Sequence, residues 1–303
     1  MEQTTPMIVG AGLAGLLAAH AWPQCPVLEQ QSAPGQAHRA LLRFRTDSVA
    51  KLTGIEFRPV LVRKGIWSHG QFREPNIALA NAYSAKCLNQ LLPDRSIWSV
   101  EPAQRWVAPD TLYEQLLDAV GSRITWGAAA DFAGARRPII STAPLPATLG
   151  ELSIATPLAF NRAPIAVHRM HVPKCDVFQT VYFPDHTTTL YRASITGSTL
   201  IAEFVGEPSD DWMDLVARAF WLPAGSELDA AVSPHRQRYG KIAPVDNDRR
   251  KQLLFKLTHE HSIFSLGRFA TWRNILLDDV VDDISVLKRL MRGSAYDRSK
   301  VLL

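Results

Sequence analysis

Cysteine is scarce in this 303-residue chain: Cys25, Cys87 and Cys175 lie far apart, with no C-x-x-C pair and no His-rich companion spacing. That excludes a disulfide-stapled miniprotein and a structural zinc site, and reads as reduced thiols in a cytoplasmic protein. An excess of one charge is also lacking: 33 Lys and Arg stand against 29 Asp and Glu, a net +4, beside 47% hydrophobic residues. Such a balance excludes a disordered tail and a coiled coil, and permits an anionic partner without requiring one. Long apolar runs are limited to Met7 to Trp22, MIVGAGLAGLLAAHAW, preceded by Glu2 and no Lys or Arg. A membrane span needs roughly 20 apolar residues, so neither a span nor a secretory signal is expected. Repeats, low-complexity tracts, Gly/Ser linkers, metal-ligand spacings and a Ser/His/Asp set are missing too.

What the apolar run does contain is Gly10, Gly12 and Gly15, a G-x-G-x-x-G directly after Met7-Ile8-Val9 and at the start of an apolar helix, Leu13 to Ala21. The first glycine allows a tight turn, the second lets backbone approach a pyrophosphate, and the third lets helix and strand pack closely. The helix N-terminus then turns its N–H groups toward the phosphates. Val27-Leu28-Glu29 places a carboxylate at the end of the next strand, where it can hold both ribose hydroxyls of an adenosine and would repel a 2′-phosphate. The competing reading is a small-residue contact between helix and strand; the strand–turn–helix context and Glu29 favour a dinucleotide site.

Helical spacing of Leu112, Leu116, Leu117 and Val120 behind Asp110 predicts a helix from Thr111 to Gly121, and DDWMDLVARAFWL predicts another over 210 to 222. Leu277 to Met291 is helical, with Asp278 and Asp279 in its first turn and Lys288 and Arg289 in its last. Between Ala163 and Val205 four segments, IAVHRMHV, VFQTVYF, TLYRASI and STLIAEFV, alternate as an antiparallel sheet does. The expected fold is α/β, a Rossmann-like dinucleotide-binding domain with an inserted α+β substrate domain containing an antiparallel sheet. The expected boundaries are 1–60, 105–150 and 262–303 for the first and 61–104 and 151–261 for the second.

Ser265-Leu266-Gly267-Arg268-Phe269-Ala270-Thr271-Trp272-Arg273-Asn274, followed by the last helix, resembles the C-terminal flavin-contacting segment of the UDP-galactopyranose mutase and amine oxidase group of FAD proteins. The resemblance covers residues 7 to 45 and 262 to 291. It implies FAD as the cofactor, with Gly267 and Arg268 at the flavin end. The strand Ile139 to Thr142, ending in Ala143-Pro144, resembles that group's strand returning beneath the cofactor, which places Thr142 among the cofactor-binding residues. Gly35-Gln36-Ala37-His38-Arg39 is a degraded form of the group's glycine pair and arginine, and implies Arg39 at the phosphates. A second G-x-G-x-x-G is absent, so no separate NAD(P)H domain is expected.

The implied activity is oxidation of a carbon–nitrogen centre in a small-molecule amine or amino acid by hydride transfer to flavin. One alternative is a mutase-like enzyme on a nucleotide sugar; another is a flavin-binding protein without turnover. Ser233 to Lys241 feeds the wall over the flavin in this group, which offers Arg236, Arg238, Tyr239, Lys241 and the nearby Trp272 as substrate contacts; for any single one of them a solvated or core role is the better reading. Trp67 and His69 look like a hairpin tip, Asp278 and Asp279 like helix caps, and Asp282 and Asp283 like a solvated face. Basic residues cluster at 39, 43, 45, 58, 63, 64 and 73 and at 236, 238, 241, 249, 250 and 251, with Phe44, Trp67 and Tyr239 interleaved. These clusters would suit an amine carried on a nucleic-acid base, but no nucleic-acid module is recognisable, and ordinary solvation and pyrophosphate binding are the better explanation of them.

Overall fold

The apolar, glycine-interrupted opening folds as strand β1 (Met7–Val9), helix α1 (Leu13–Ala21) and strand β2 (Val27–Glu29) in a computed structural model that describes residues 5–35, 42–92, 97–173, 176–222 and 234–292. There follow β3 (Arg43–Phe44), α2 (Ser48–Thr53), β4 (Arg58–Ser68), β5 (Gln71–Arg73), α3 (Ile77–Leu88), β6 (Ala103–Val107), α4 (Leu112–Val120), β7 (Ile124–Trp126), β8 (Ile139–Ser141) and α5 (Leu145–Glu151). The second half holds β9 (Arg162–His171), β10 (Phe178–Tyr182), β11 (Leu190–Thr196), β12 (Thr199–Val205), α6 (Trp212–Phe220), β13 (His235–Ile242), α7 (Asn247–His261), β14 (Ile263–Ser265) and α8 (Leu277–Arg292).

Five short strands form one parallel sheet in the order β14-β8-β1-β2-β7. Ile8, Val27, Ile139, Ile140 and Ile263 are fully buried, as strands covered on both faces must be. One face packs on α1, α4 and α8 through Leu16, Leu17, Leu112, Leu116 and Ile284. The other packs on α5 and α7 through Leu145, Leu149 and Leu257. Helix α1 is apolar on nearly every side because it lies inside the layer. Its C-terminal carbonyls are closed by Arg123, which donates to Ala19 O at 2.9 Å and to Trp22 O and Cys25 O at 3.1 Å.

The second sheet runs β13-β9-β12-β11-β10-β4-β6-β3, with β5 added to β4. The four segments between 163 and 205 form the antiparallel block that their alternation predicts, β9 lying beside β12. The eleven-residue β4 extends it: residues 63–66 pair in parallel with β10, and residues 58–62 pair antiparallel with β6. Period-two alternation gives this sheet two faces. Ala166, Met170, Val181, Leu200 and Phe204 form the outer one, covered by Trp212 and Val216 of α6. The inner face carries Ile66, Val167, Tyr191 and Ile201, partly covered by Ala80, Tyr83 and Cys87 of α3.

The fold is thus α/β, a parallel Rossmann-type sheet beside a larger mixed sheet, as expected from the sequence. Among the described residues no helix is long and apolar enough to cross a membrane, and no group of His, Cys, Asp or Glu is arranged to hold a metal. Cys25 and Cys87 are buried free thiols; Cys175 lies outside the described residues.

Candidate functional site

The glycine turn has the shape its spacing requires. Gly10 adopts φ +99°, and a Cβ there would stand 2.3 Å from Thr142 Oγ1. At Gly15 a Cβ would stand 1.8 Å from the carbonyl oxygen of Gly10, so helix and turn touch through backbone. Around Gly12 no atom lies within 4 Å of a Cβ position, which leaves open space over the start of α1. The first turn of that helix has no side-chain cap and no acid, so its N–H groups remain available to an anion. Glu29 stands beside them at the carboxyl end of β2, its Oε2 accepting from Ala11 N at 2.7 Å and its Oε1 from Gln31 N at 2.9 Å. Each carboxylate oxygen keeps a further lone pair for a sugar hydroxyl. Thr142 donates its hydroxyl to Val9 O at 2.8 Å and closes the other side of the turn. These residues fit a dinucleotide: open space over Gly12, unclaimed donors at a helix N-terminus and a carboxylate at the end of the next strand.

The C-terminal segment arrives at the same place. Gly267, at φ +89°, lies against Ala14 of α1, and a Cβ would come within 2.8 Å of the Ala14 methyl. Asp278, 3% exposed, accepts from the backbone N–H groups of Arg45 at 2.9 Å and Thr46 at 3.3 Å. It therefore pins the β3–α2 turn to α8, a larger part than the helix cap expected of it, while Asp279 pairs with Arg45 and accepts from Leu276 N at 2.8 Å. Asp283, expected on a solvated face, is half-buried and paired with Arg273, and its carboxyl is pushed up by burial.

Beyond Gly267 a chamber-like cluster of charged side chains, most of them cationic, sits on the inner face of the second sheet. Glu203 on β12 is 5% exposed and accepts from Tyr191 Oη at 2.9 Å and from Arg192 Nη2 at 2.7 Å, with Arg192 Nε closing a bidentate pair. Burial alone would raise this carboxyl; the Arg192 guanidinium and the hydrogen bonds from Arg192 and Tyr191 outweigh it and hold the group below its usual range. The Lys241 ammonium lies over the Tyr191 ring, 4.2 Å from its centroid, and burial together with the Arg192 charge pushes it down to about 8. Arg43 donates to Thr180 Oγ1 at 3.1 Å and leaves Nη1 buried without a partner. Burial and the facing Arg192 push its guanidinium down to about 9. Arg268 donates to Gly240 O and Asn274 Oδ1, both at 3.2 Å, and its Nε is likewise buried without a partner. Four cations therefore converge on one carboxylate. A separate cavity of about 470 Å³ opens on the same inner face nearer the β11–β12 turn, lined by Thr196, Thr199 and Ile201 and by Arg58, Arg169, Glu56 and Asp110.

Of the residues singled out in the sequence, Gly10, Gly12, Gly15, Glu29, Thr142 and Gly267 meet at the cradle, and Arg268 and Lys241 reach the chamber. Arg39 lies outside the described residues. Arg238 is exposed, Tyr239 packs on Phe269 and Trp272, and Trp272 is 2% exposed with its indole N–H donated to Ala243 O at 3.0 Å. Sequence reasoning passed over Arg192 and Glu203. Their signal was present, as lone charges inside the apolar alternation of TLYRASI and STLIAEFV.

No family model matches this chain, and no curated protein does. Solved structures match the fold. Reduced UDP-galactopyranose mutase superposes with a TM-score of 0.68 at 14% identity, covering 100% of this chain and 96% of that one. The tetrameric 2-methyl-3-hydroxypyridine-5-carboxylic acid oxygenase gives 0.56 at 11% identity, covering 100% and 85%. Klebsiella pneumoniae HpxO, crystallised with FAD and uric acid, gives 0.52 at 15% identity, covering 99% and 83%. The chain thus has the fold of FAD-dependent flavoproteins, over its whole length.

Proposed function

We propose that this chain is an FAD-dependent oxidoreductase that oxidises a carbon–nitrogen centre in an amino-acid-like substrate. The observation that carries the reading is the pair of unpartnered buried donors, Arg43 Nη1 and Arg268 Nε, facing a chamber with one carboxylate. Buried donors without acceptors cost free energy, so the site favours groups that bring acceptors, the flavin at Arg268 and the substrate at Arg43. A bare ammonium would be repelled by Arg43, Arg192 and Arg268. A substrate that also carries a carboxylate is attracted, which narrows amine to amino acid. Gly10, Gly12 and the first turn of α1 hold the pyrophosphate, Glu29 the adenosine ribose, and Gly267 with Arg268 the flavin end. When bound, FAD supplies the acceptor for the hydride that leaves the carbon bearing nitrogen.

The chain's own residues supply the rest. Arg43 and Arg192 orient the substrate carboxylate. Lys241, pushed down to about 8, takes the proton from the substrate ammonium when its own Nζ is neutral, the form that prevails above that pH, leaving the neutral amine that oxidation requires. Tyr83, Tyr182 and Tyr191 stack edge to face along the inner wall, with centroids 5.5 and 6.3 Å apart, and exclude water. The test is anaerobic mixing of the purified yellow protein with a panel of amines and amino acids. Bleaching of the visible flavin band by amino acids, and not by the corresponding decarboxylated amines, is expected. A colourless protein that binds NAD and refuses FAD would sink the reading.

The same cationic chamber would hold the diphosphate of a nucleotide sugar, which keeps the mutase alternative alive. That reading expects isomerisation only after reduction with dithionite and no bleaching by amines. A flavin inert to both tests would indicate a binding protein without turnover.

A further inference from the structure

The cations do not stop at the chamber. Lys64 of β4 pairs across to Thr180 of β10, and Val60 and Val62 of the same β4 face pack with Phe178 and Val107. Arg105 stands opposite Val60 on β6, and Arg43 opposite Val107. By the alternation of strand side chains, Lys64, Arg105 and Arg43 therefore share the inner face with Thr180, Arg192 and Glu203. Arg58 joins them with its guanidinium over the Phe178 ring, 4.8 Å from the centroid, at the rim of the cavity. The neighbours repel one another: Lys64 is pushed down by burial and then by Arg105, and Arg43 by burial and then by Arg192, with Arg105 adding to it. The acids that oppose them, among the described residues, are Glu203 and Glu101, with Glu56 and Asp110 lining the cavity at the rim, where Asp110 pairs with Arg169. From β13 to β6 the row crosses six strand spacings, about 29 Å along the curled surface.

We propose that this row is a phosphate track for a single-stranded nucleic acid, so that the amino-acid-like group taken by the deep end is carried on a base. The inference rests on the proposed function for its chemistry, and on the inner face alone for its partner. A row of like charges is held at an electrostatic cost that an anionic polymer relieves along its whole length. Two phosphates of a nucleotide sugar would relieve only the deep end. The mouth has room for one splayed nucleoside beside the Arg58–Phe178 pair, and chemistry on a base requires it out of the stack. The opposite face of β4 offers a built-in contrast, since Leu61 and Arg63 point outward there, away from the chamber.

Fluorescence anisotropy with the flavin-loaded full chain and short fluorescein-labelled oligonucleotides, at increasing KCl, tests the track. Single-stranded DNA or RNA is expected to bind, the stronger of the two naming the source, with log K falling against log salt by about 0.7 per phosphate held. The double variant Lys64→Gln/Arg105→Gln is expected to weaken binding at least tenfold and to flatten the salt slope by about 1.4, two phosphates' worth. Arg63→Gln removes the same charge from the neighbouring position and should change neither. Flavin content and the unfolding midpoint of each variant report folding. Absence of strand binding, a preference for duplex, an Arg63→Gln loss equal to that of the Lys64→Gln/Arg105→Gln double variant, or uridine diphosphate binding where no strand does would each overturn the track. Strand binding without bleaching by free amino acids leaves the track standing and moves the bleaching test to an amino acid carried on a base, whose failure would count against the proposed chemistry; bleaching by free amino acids without strand binding would overturn the track and leave that chemistry standing.

Discussion

Replacing Glu203 by Gln isolates the electrostatics of the chamber. The substitution keeps the volume and the acceptor for Tyr191 Oη, and removes the charge that Arg192 grips in a bidentate pair. Removing one partner of a buried pair costs about 3–5 kcal/mol because the other charge is left uncompensated. The Arg192 side chain keeps 37% of its surface accessible against 6% for Glu203, so solvent screens part of that loss and about 2–4 kcal/mol is expected. At roughly 2.1 cal/mol/K per residue the unfolding entropy of this chain is about 0.6 kcal/mol/K, and the midpoint should fall by about 3–6 °C. The pH dependence carries a sign. A carboxylate held below its unfolded value of 4.5 contributes stability present above that value and lost as the pH falls through the folded one. The wild-type advantage over the variant should therefore be constant near neutrality and shrink on acidification.

The variant should also respond more strongly to anions. With Glu203 neutral, Arg43, Arg192, Lys241 and Arg268 face one another without a counter-charge. Inorganic phosphate at roughly 100 times its Kd would return about 2.7 kcal/mol, measured as a midpoint shift against chloride at matched ionic strength. A midpoint unchanged or raised by Glu203→Gln, or an equal response of variant and wild type to phosphate, would refute the account of the chamber.

Gly12→Ala and Gly15→Ala should separate cofactor from fold: the first places its methyl in open space and should fold normally while losing flavin absorbance, the second drives Cβ to within 1.8 Å of the Gly10 carbonyl and should lower the yield of folded protein itself. Lys241, pushed down to about 8 from 10.5, destabilises the fold while it is protonated, so stability should rise as the pH climbs from about 8 toward 10.5. Lys241→Met should be more stable than wild type below that window, by about 1–3 kcal/mol in urea titrations, and should lose the rise. Lys86 donates to Phe183 O at 2.9 Å, Asp185 O at 2.8 Å and Leu190 O; Lys86→Met leaves these acceptors bare and should cost about 2–4 kcal/mol by the same titration.

The parts of this site that were legible in the sequence are those whose physics is local. Gly10, Gly12, Gly15 and Glu29 announce themselves because a tight turn, a close approach and a strand end each demand one residue type at a fixed spacing. Helix α8 is legible because its apolar stripe and end charges follow one period. Helix α7 is not, because Arg250, Leu257 and Thr258 supply its buried side, and a guanidinium looks like surface until Thr271 O is seen accepting from it at 3.0 Å. Arg192 and Glu203 face each other only through the register of β11 and β12, which shifts between Leu190 and Arg192. Arg43 and Arg268 come from opposite ends of the chain and reach the same cluster only through the fold. A local pattern assigns Arg43 to a solvated basic cluster, and Arg268 is reached only through the family resemblance of its segment. What singles these two out for the proposed site is the acceptor that Arg43 Nη1 and Arg268 Nε each lack, and a missing partner is a property that only the folded chain can have.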